Sequence, residues 1–156
     1  MQATSRPAGT SDIAFLLAAM AMLRAEDGTE PLVRVEAEPA LRGLLADPAF
    51  GCVRILEQGG VTVGYLVLTF GYGIESLGRN AFVDELFVLP AFRRRGIGTR
   101  ALKMAERICA EVGARTLYLE VERANTRARE LYRRVGFRER DRMLMSKRIE
   151  ERGEAG

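Results

Sequence analysis

Residues 84–99 constrain the fold of this chain more than any other stretch of its sequence. An apolar strand that carries two acids is followed by Pro90, and a turn rich in arginine and glycine then opens an amphipathic helix. A strand that enters a helix through such a turn aims several backbone N–H groups, and the positive end of the helix dipole, at one point. Because three arginines lie beside this point, we expect it to bind an anion, and a diphosphate is the natural occupant.

The Arg-x-x-Gly-x-Gly turn at residues 93–98 is, by itself, compatible with several kinds of phosphate site. The dinucleotide-binding fingerprint tolerates an alanine at position 101 and has an acid about twenty residues further on, near Glu120 and Glu122. Spacing alone leaves that interpretation open. A P-loop is excluded because no Gly-Lys-Ser/Thr sequence follows. A solvated, basic helix start is the remaining interpretation of this motif taken alone.

The residues around the turn predict a β-α-β unit. Apolar residues of the helix 98–112 recur at the spacing of one helical face, and Gly113 stands where a helix commonly ends. The strands 81–89 and 115–121 are therefore expected to be parallel neighbours in one sheet. The other expected elements are a strand at 2–7, helices at 10–25, 40–45 and 125–135, a polar connection at 26–38, a hairpin of strands 51–57 and 61–70, a loop at 71–80, and one or two antiparallel strands within 137–148.

A second motif follows the strand 115–121. It reads Asn-x-x-Ala-x-x-Leu-Tyr-x-x-x-Gly-Phe and consists of Asn125, Ala128, Leu131, Tyr132, Gly136 and Phe137. Together with Arg93, Gly96 and Gly98 of the turn, this motif resembles the GNAT superfamily of acyl-CoA-dependent N-acetyltransferases, over residues 62–147. Many members have glycine where Arg94 stands, but an arginine there can still donate to phosphate.

The length of the chain indicates one domain, expected over residues 1–149, and the polar residues 150–156 are expected to form a tail. The expected architecture is the GNAT fold, an α/β (α+β) arrangement in which helices flank a central, mostly antiparallel mixed sheet. One parallel pair of strands in this sheet splays apart, and the pantetheine arm of the cofactor lies in the gap.

The resemblance also implies which residues bind acetyl-CoA. Backbone groups of Leu86, Phe87 and Val88 are expected to bind pantetheine. The pyrophosphate is assigned to the turn, which comprises Arg93, Arg94, Arg95, Gly96, Ile97, Gly98 and Thr99. Asn125 and Ala128 belong to the second motif, where Asn125 either caps its helix, or contacts the cofactor, or does both. No metal is expected.

Three carboxylates are candidates for the group that takes a proton from the acceptor amine, whose pKa is about 10.4. They are Asp84, Glu85 and Glu120. Strand alternation places Asp84 and Glu85 on opposite faces unless a bulge redirects one of them. An acidic pair at 84 and 85 resembles acetyltransferases of polyamine-like substrates, whereas an acid at 120 resembles protein N-terminal acetyltransferases. The choice of base stays open, and each acid can instead be an ion-paired surface residue.

Tyr132 matches the family tyrosine that protonates the leaving thiolate. A phenol with a pKa near 10 can donate to a thiolate whose conjugate acid has a pKa of about 8.5. The other interpretation of Tyr132 is an aromatic side chain that packs in an amphipathic helix.

Composition removes several other chemistries. The 156-residue chain has no histidine, so histidine bases and histidine metal sites are excluded. The two cysteines, Cys52 and Cys109, lack ligand spacing and are expected to be core residues, so no covalent enzyme intermediate is expected. The net charge of +3 comes from 24 basic and 21 acidic residues that are interspersed, which makes nucleic acid an improbable partner.

The apolar run 13–23 is too short to span a membrane and lacks the charge pattern of a signal peptide, so we expect a cytoplasmic protein. The expected activity is transfer of acetyl from acetyl-CoA to a primary amine by direct attack in a ternary complex, with a small-molecule acceptor favoured. The alternatives are a protein N-terminal or lysine acetyltransferase and a non-catalytic acyl-CoA-binding module. A homodimer is compatible with the resemblance, which also places the acceptor site near residues 24–40 and 70–80.

Overall fold

A five-stranded sheet organises the chain. The computed structural model describes residues 3–149, so the tail expected at 150–156 lies outside the described residues. The strands, which lie in chain order across the sheet, are β1 (Ala3–Pro7), β2 (Gly51–Gln58), β3 (Val61–Gly73), β4 (Gly78–Val88) and β5 (Thr116–Leu119). Strands β1 to β4 are antiparallel, and β4 and β5 are parallel. This confirms the mixed sheet and its single parallel pair.

Helices cover both faces of the sheet. They are α1 (Ile13–Asp27), α2 (Arg34–Ala46), α3 (Ile97–Glu111) and α4 (Thr126–Arg134), with short 3-10 turns at Thr10–Asp12 and Pro90–Phe92. On one face α1 and α2 bury Leu16, Leu17 and Leu41 against Tyr65 and Phe87 of the sheet. The opposite face of the sheet forms a second core with α3 and α4. No helix in the range 3–149 is long and apolar enough to cross a membrane.

A bulge in β4 determines which way its acids point. Val67 of β3 lies opposite Glu85 and the next residue, Leu68, lies opposite Val83, so Asp84 is the extra residue. Val83 therefore packs into the core beneath α3, whereas Glu85 reaches Tyr65 on the other face. An inserted residue reverses the alternation of the strand beyond it.

Three expectations about the elements were wrong. The loop expected at 71–80 is mostly strand, because β3 continues to Gly73 and β4 begins at Gly78. The polar connection expected at 26–38 ends early, since α2 begins at Arg34 and buries Leu41. The closing strands expected within 137–148 are not formed. Charged residues occupy every position from 138 to 142, so this stretch has no apolar face to bury.

Asp12 anchors the entry to α1 through three hydrogen bonds. Its carboxylate accepts from Nη1 and Nη2 of Arg6 and from the backbone N–H of Gly9, each at 2.8 Å. These donors hold the pKa of Asp12 below its usual range, with the Arg6 hydrogen bonds the largest cause. A lowered pKa means that Asp12 stabilises the fold above its unfolded pKa and that this stability is lost as the pH falls.

We therefore expect Asp12→Asn to lower the free energy of unfolding by roughly 1–2 kcal/mol at pH 7, the size typical of a charged hydrogen bond with one partly exposed partner. Urea denaturation at pH 7 and pH 3 measures it. The difference should shrink at pH 3, where the wild-type carboxylate is also becoming protonated. Asp141→Asn, at an exposed position, is the control. An equal loss at both pH values would contradict the ionic role.

Candidate active site

The turn before α3 presents unpaired backbone donors. Gly96, the N-cap of α3, has a φ of 74°, in the left-handed region that glycine adopts without strain. Arg94 shares this conformation with a φ of 63°, which is uncommon for a residue with a side chain. The first N–H groups of α3 have no intrahelical acceptor and point out of the helix end. The turn therefore has the geometry of an anion site.

Gly98 allows α4 to pack against this turn. A Cβ atom at position 98 would lie 3.3 Å from the Leu131 side chain, which is tighter than most such contacts. The close approach brings α4, and with it Tyr132, to the start of α3.

The three arginines of the turn have different surroundings. Arg93 donates from Nε to the carbonyl of Val88 at 2.8 Å and from Nη2 to both carboxylate oxygens of Glu26 at 2.8 Å. Its guanidinium also lies 5.3 Å from the ring centroid of Phe87. Arg93 therefore ties the end of α1 to the end of β4, and its role in phosphate binding stays a prediction.

Arg94 and Arg95 are more exposed to solvent than Arg93. Arg95 stacks over Phe92 at 5.2 Å and donates to the carbonyl of Ala91 at 3.1 Å. Arg94 is exposed, and within residues 3–149 its side chain has no ion pair or hydrogen bond. Arg94 is thus the guanidinium of the turn that has no structural partner in the described part of the chain.

The two parallel strands part beside this turn. Pairing between β4 and β5 runs from Asn80 with Thr116 to Val83 with Leu119, and stops there. Leu86, Phe87 and Val88 consequently pair with β3 on one side while β5 does not pair with them on the other. The free edge is a row of backbone donors and acceptors, as the resemblance requires for pantetheine.

Two of the predicted acids meet where the strands part. A cavity of about 270 Å³ is lined by Phe82, Val83, Asp84 and Glu120. Asp84 reaches it as the bulge residue, and Glu120 reaches it from the end of β5. Asp84 keeps contact with solvent there, but partial loss of hydration raises the pKa of its carboxyl.

Glu85 lies on the other face of β4. Its Oε2 accepts a hydrogen bond of 2.8 Å from the hydroxyl of Tyr65, a residue with no exposed surface. Burial raises the pKa of Glu85, the Tyr65 hydrogen bond lowers it in part, and the negative charge of Asp84 raises it again. A carboxylate with a raised pKa is a better base at neutral pH than an exposed one.

Tyr132 is half-buried on α4, where its ring makes an edge contact with Phe137 at 5.9 Å. Burial, and then the charge of Asp27, raises the pKa of its phenol, so Tyr132 is protonated at neutral pH. No hydrogen bond of its hydroxyl occurs within residues 3–149. The side chain is therefore available as a proton donor.

Asp27 is the residue that sequence reasoning did not single out. It is the last residue of α1, and its pKa is raised by partial burial and by the charges of Glu26 and Glu122. Its charge also acts on Glu85 and Tyr132. An acid in the last turn of a helix is unfavourable with respect to the helix dipole, and this position just before Gly28 was the available signal.

Asn125 and Ala128 are brought together at the start of α4. Oδ1 of Asn125 accepts from the backbone N–H of Ala128 at 3.1 Å, which makes Asn125 the N-cap of the helix. The capping role is thus present, and contact of either residue with the cofactor stays a prediction.

Comparison with known proteins agrees with this geometry. The model of the acetyltransferase (GNAT) family matches residues 17–137. The chain belongs to the GNAT family.

Three similar proteins illustrate the range of its relatives. The thialysine N-epsilon-acetyltransferase of Mus musculus is 34% identical over 107 residues, which cover 64% of this chain and 63% of that protein. The integron cassette protein HFX_CASS3, from the mobile metagenome of Cole Harbour Salt Marsh, is 33% identical with a TM-score of 0.81, covering 94% of this chain and 91% of that one.

A predicted acetyltransferase from Clostridium acetobutylicum, solved with acetyl-CoA, has a TM-score of 0.79 and covers 94% of this chain and 96% of that one. At an identity of 20%, this TM-score shows a shared fold. The chain spans 46% to 65% of the length of the first curated relatives that it matches.

The Tyr65–Glu85 hydrogen bond leads to a prediction about acidity. We expect Tyr65→Phe to raise the pKa of Glu85, since the lost hydrogen bond stabilises the ionised carboxylate. Carboxyl ¹³C NMR titration of the two proteins measures the change. Tyr72→Phe, at an exposed tyrosine, should leave the titration of Glu85 as it is. An unchanged pKa of Glu85 in Tyr65→Phe would mean that the phenol does not stabilise the anion.

Proposed function

We propose that this chain transfers acetyl from acetyl-CoA to a small-molecule primary amine by direct attack in a ternary complex. The observation that carries the proposal is the parting of β4 and β5 beside the start of α3, with Asp84 and Glu120 lining the resulting cavity. Membership of the GNAT family supports it.

Acetyl-CoA suits the groups that the site offers. The N–H groups of the turn and the exposed guanidinium of Arg94 would hold the pyrophosphate, because both donate to phosphate oxygens. The free edge of β4 at Leu86, Phe87 and Val88 would pair with the pantetheine amides. The Clostridium acetobutylicum structure with acetyl-CoA supports the same cosubstrate here.

The acids would remove a proton from the bound ammonium group. Asp84 and Glu120, which line the cavity, would take the proton from an amine bound there. Glu85, whose pKa burial raises, would serve an amine that binds on the other face of β4. The free amine then attacks the thioester carbonyl. A C–N bond forms, the C–S bond breaks, and the electron pair leaves on sulfur. The nitrogen gives its second excess proton to water, and the Tyr132 phenolate that remains after protonation of the thiolate regains a proton from water.

Tyr132 would donate its phenolic proton to the departing thiolate. Its raised pKa keeps the donor protonated before the step. Burial also raises the thiol pKa of both Cys52 and Cys109, which makes them poor nucleophiles at neutral pH. Direct transfer without an acyl-enzyme is therefore favoured.

The acceptor is expected to be cationic and small. Asp84 and Glu120 place negative charge in the cavity, which attracts a protonated amine. A volume of about 270 Å³ suits a small molecule. The thialysine acetyltransferase relative supports an amino-acid-like amine.

Replacement of Tyr132 by phenylalanine tests the proposal. We expect kcat to fall about 10²-fold or more because the general acid is lost. The Kd of acetyl-CoA should stay within about twofold, since the cofactor groups are untouched. Thiol release with thialysine, lysine, spermidine, an aminoglycoside and short peptides measures turnover, and isothermal titration calorimetry measures cofactor binding. Phe50→Leu, at an exposed aromatic residue outside the expected acceptor site, is the control.

Wild-type binding of acetyl-CoA without transfer to any of these amines would contradict the enzyme and favour a binding module. Turnover with peptides alone would overturn the small-molecule acceptor. Full activity of Tyr132→Phe would remove the assigned acid and leave the acceptor assignment standing.

A further inference from the structure

A groove remote from the acids of the active site runs between α3 and β1. Its volume is about 320 Å³, and its floor is formed by the buried side chains of Leu56, Ile97 and Ala101. One wall is the strand β1, through Ala3, Thr4 and Ser5. The other wall is the exposed face of α3.

The wall formed by α3 carries positive charge. Arg100, Lys103 and Arg107 line the groove, are exposed, and recur at the spacing of one helical face. Within residues 3–149 none of the three has an ion pair. The lining includes no acid, so the positive charge is not neutralised inside the groove.

A further cation, on the neighbouring strand β2, contacts β1. Nη2 of Arg54 donates to the carbonyl and the hydroxyl of Ser5, at 3.4 and 3.3 Å. The buried Nε of Arg54 has no hydrogen-bond partner within the described residues. Through Ser5, which lines the groove, Arg54 adds a positive charge next to it.

The wall formed by β1 is an open strand edge. β1 lies at one end of the sheet, and within residues 3–149 it pairs only with β2. Its other edge offers backbone N–H and C=O groups to an extended chain. Soluble proteins usually protect such an edge, so an accessible one beside a charged groove indicates an interaction surface.

We propose that this groove binds an extended acidic segment of a partner protein, added to the sheet as a strand beside β1. Alternate residues of such a strand are about 6.8 Å apart. Lys103 and Arg107 are separated by about 6 Å along the helix axis, so successive acids on one face of the strand meet successive cations. The side chains between the acids lie on the opposite face of the added strand, away from the cations.

The lining favours a peptide over a nucleic acid. No aromatic side chain lines the groove, so bases have no stacking platform. An open strand edge pairs with a peptide backbone, which nucleic acids lack.

Fluorescence anisotropy with a labelled octapeptide of alternating glutamate and valine tests the proposal. The full chain should bind this peptide about tenfold more tightly than the Lys103→Gln/Arg107→Gln variant, in which two of the cations are neutral. Glutamine keeps the helix propensity of α3. The matched control is Arg115→Gln/Lys147→Gln, which removes the same charge from exposed positions outside the groove and should bind like the wild type.

A second peptide of the same sequence, with every backbone amide N-methylated, carries the same charge but has no backbone N–H group to donate to β1. Weaker binding of this peptide, together with slower hydrogen exchange in residues 3–7 on adding the first, supports strand addition. Equal binding of both peptides, an equal loss in the control variant, or tighter binding of a single-stranded RNA of the same charge would each overturn the proposal. None of these measurements depends on acetyl transfer.

Discussion

The interruption of sheet pairing at Asp84 is the constraint on which the candidate site depends. The bulge inserts Asp84 into β4, so that Val83 and Glu85 point to opposite faces. Pairing with β5 ends at the same level, which frees the edge at Leu86 to Val88. This one irregularity coincides with the gap between β4 and β5 and places the Asp84 carboxylate in the cavity there. It also places the Glu85 carboxylate on the opposite face of the sheet, where it bonds Tyr65.

Burial of Asp84 and Glu85 on β4 lowers the stability of the fold at neutral pH. Burial raises the pKa values of Asp84 and Glu85. Their protonated forms favour the folded state at a pH below their pKa in the unfolded chain. This stability is lost as the pH rises through their pKa in the folded protein. The pKa of Asp12 shifts in the opposite direction, because hydrogen bonds from Arg6 stabilise its ionised carboxylate. Asp12, an acid hydrogen-bonded to a cation, therefore stabilises the fold. At Glu85, by contrast, burial and the charge of Asp84 outweigh the charge of Arg24.

The β-α-β unit could be predicted almost residue by residue, because its strands, its helix face and its glycines all act locally. The wrong elements lay where tertiary contacts decide. α2 begins before its expected start, and Ala37 in its first turns packs against the core between the helices and the sheet. Residues 138–142 are all charged and form no strand, although Arg140 and Arg142 pair with Glu75. Asp27 and the Tyr65–Glu85 pair escaped notice because their partners are distant in sequence.

The sequence by itself determined the family, and it predicted the anion turn and named the acids and the tyrosine as candidates, since spacing along a strand or helix is a local property. Only the tertiary structure decided which of these groups meet. In the folded chain Asp84 and Glu120 line one cavity, Tyr65 donates a hydrogen bond to Glu85, and Arg93 pairs with Glu26. A bulge and a long-range ion pair depend on contacts between distant segments, and neither is visible in the periodicity of one segment.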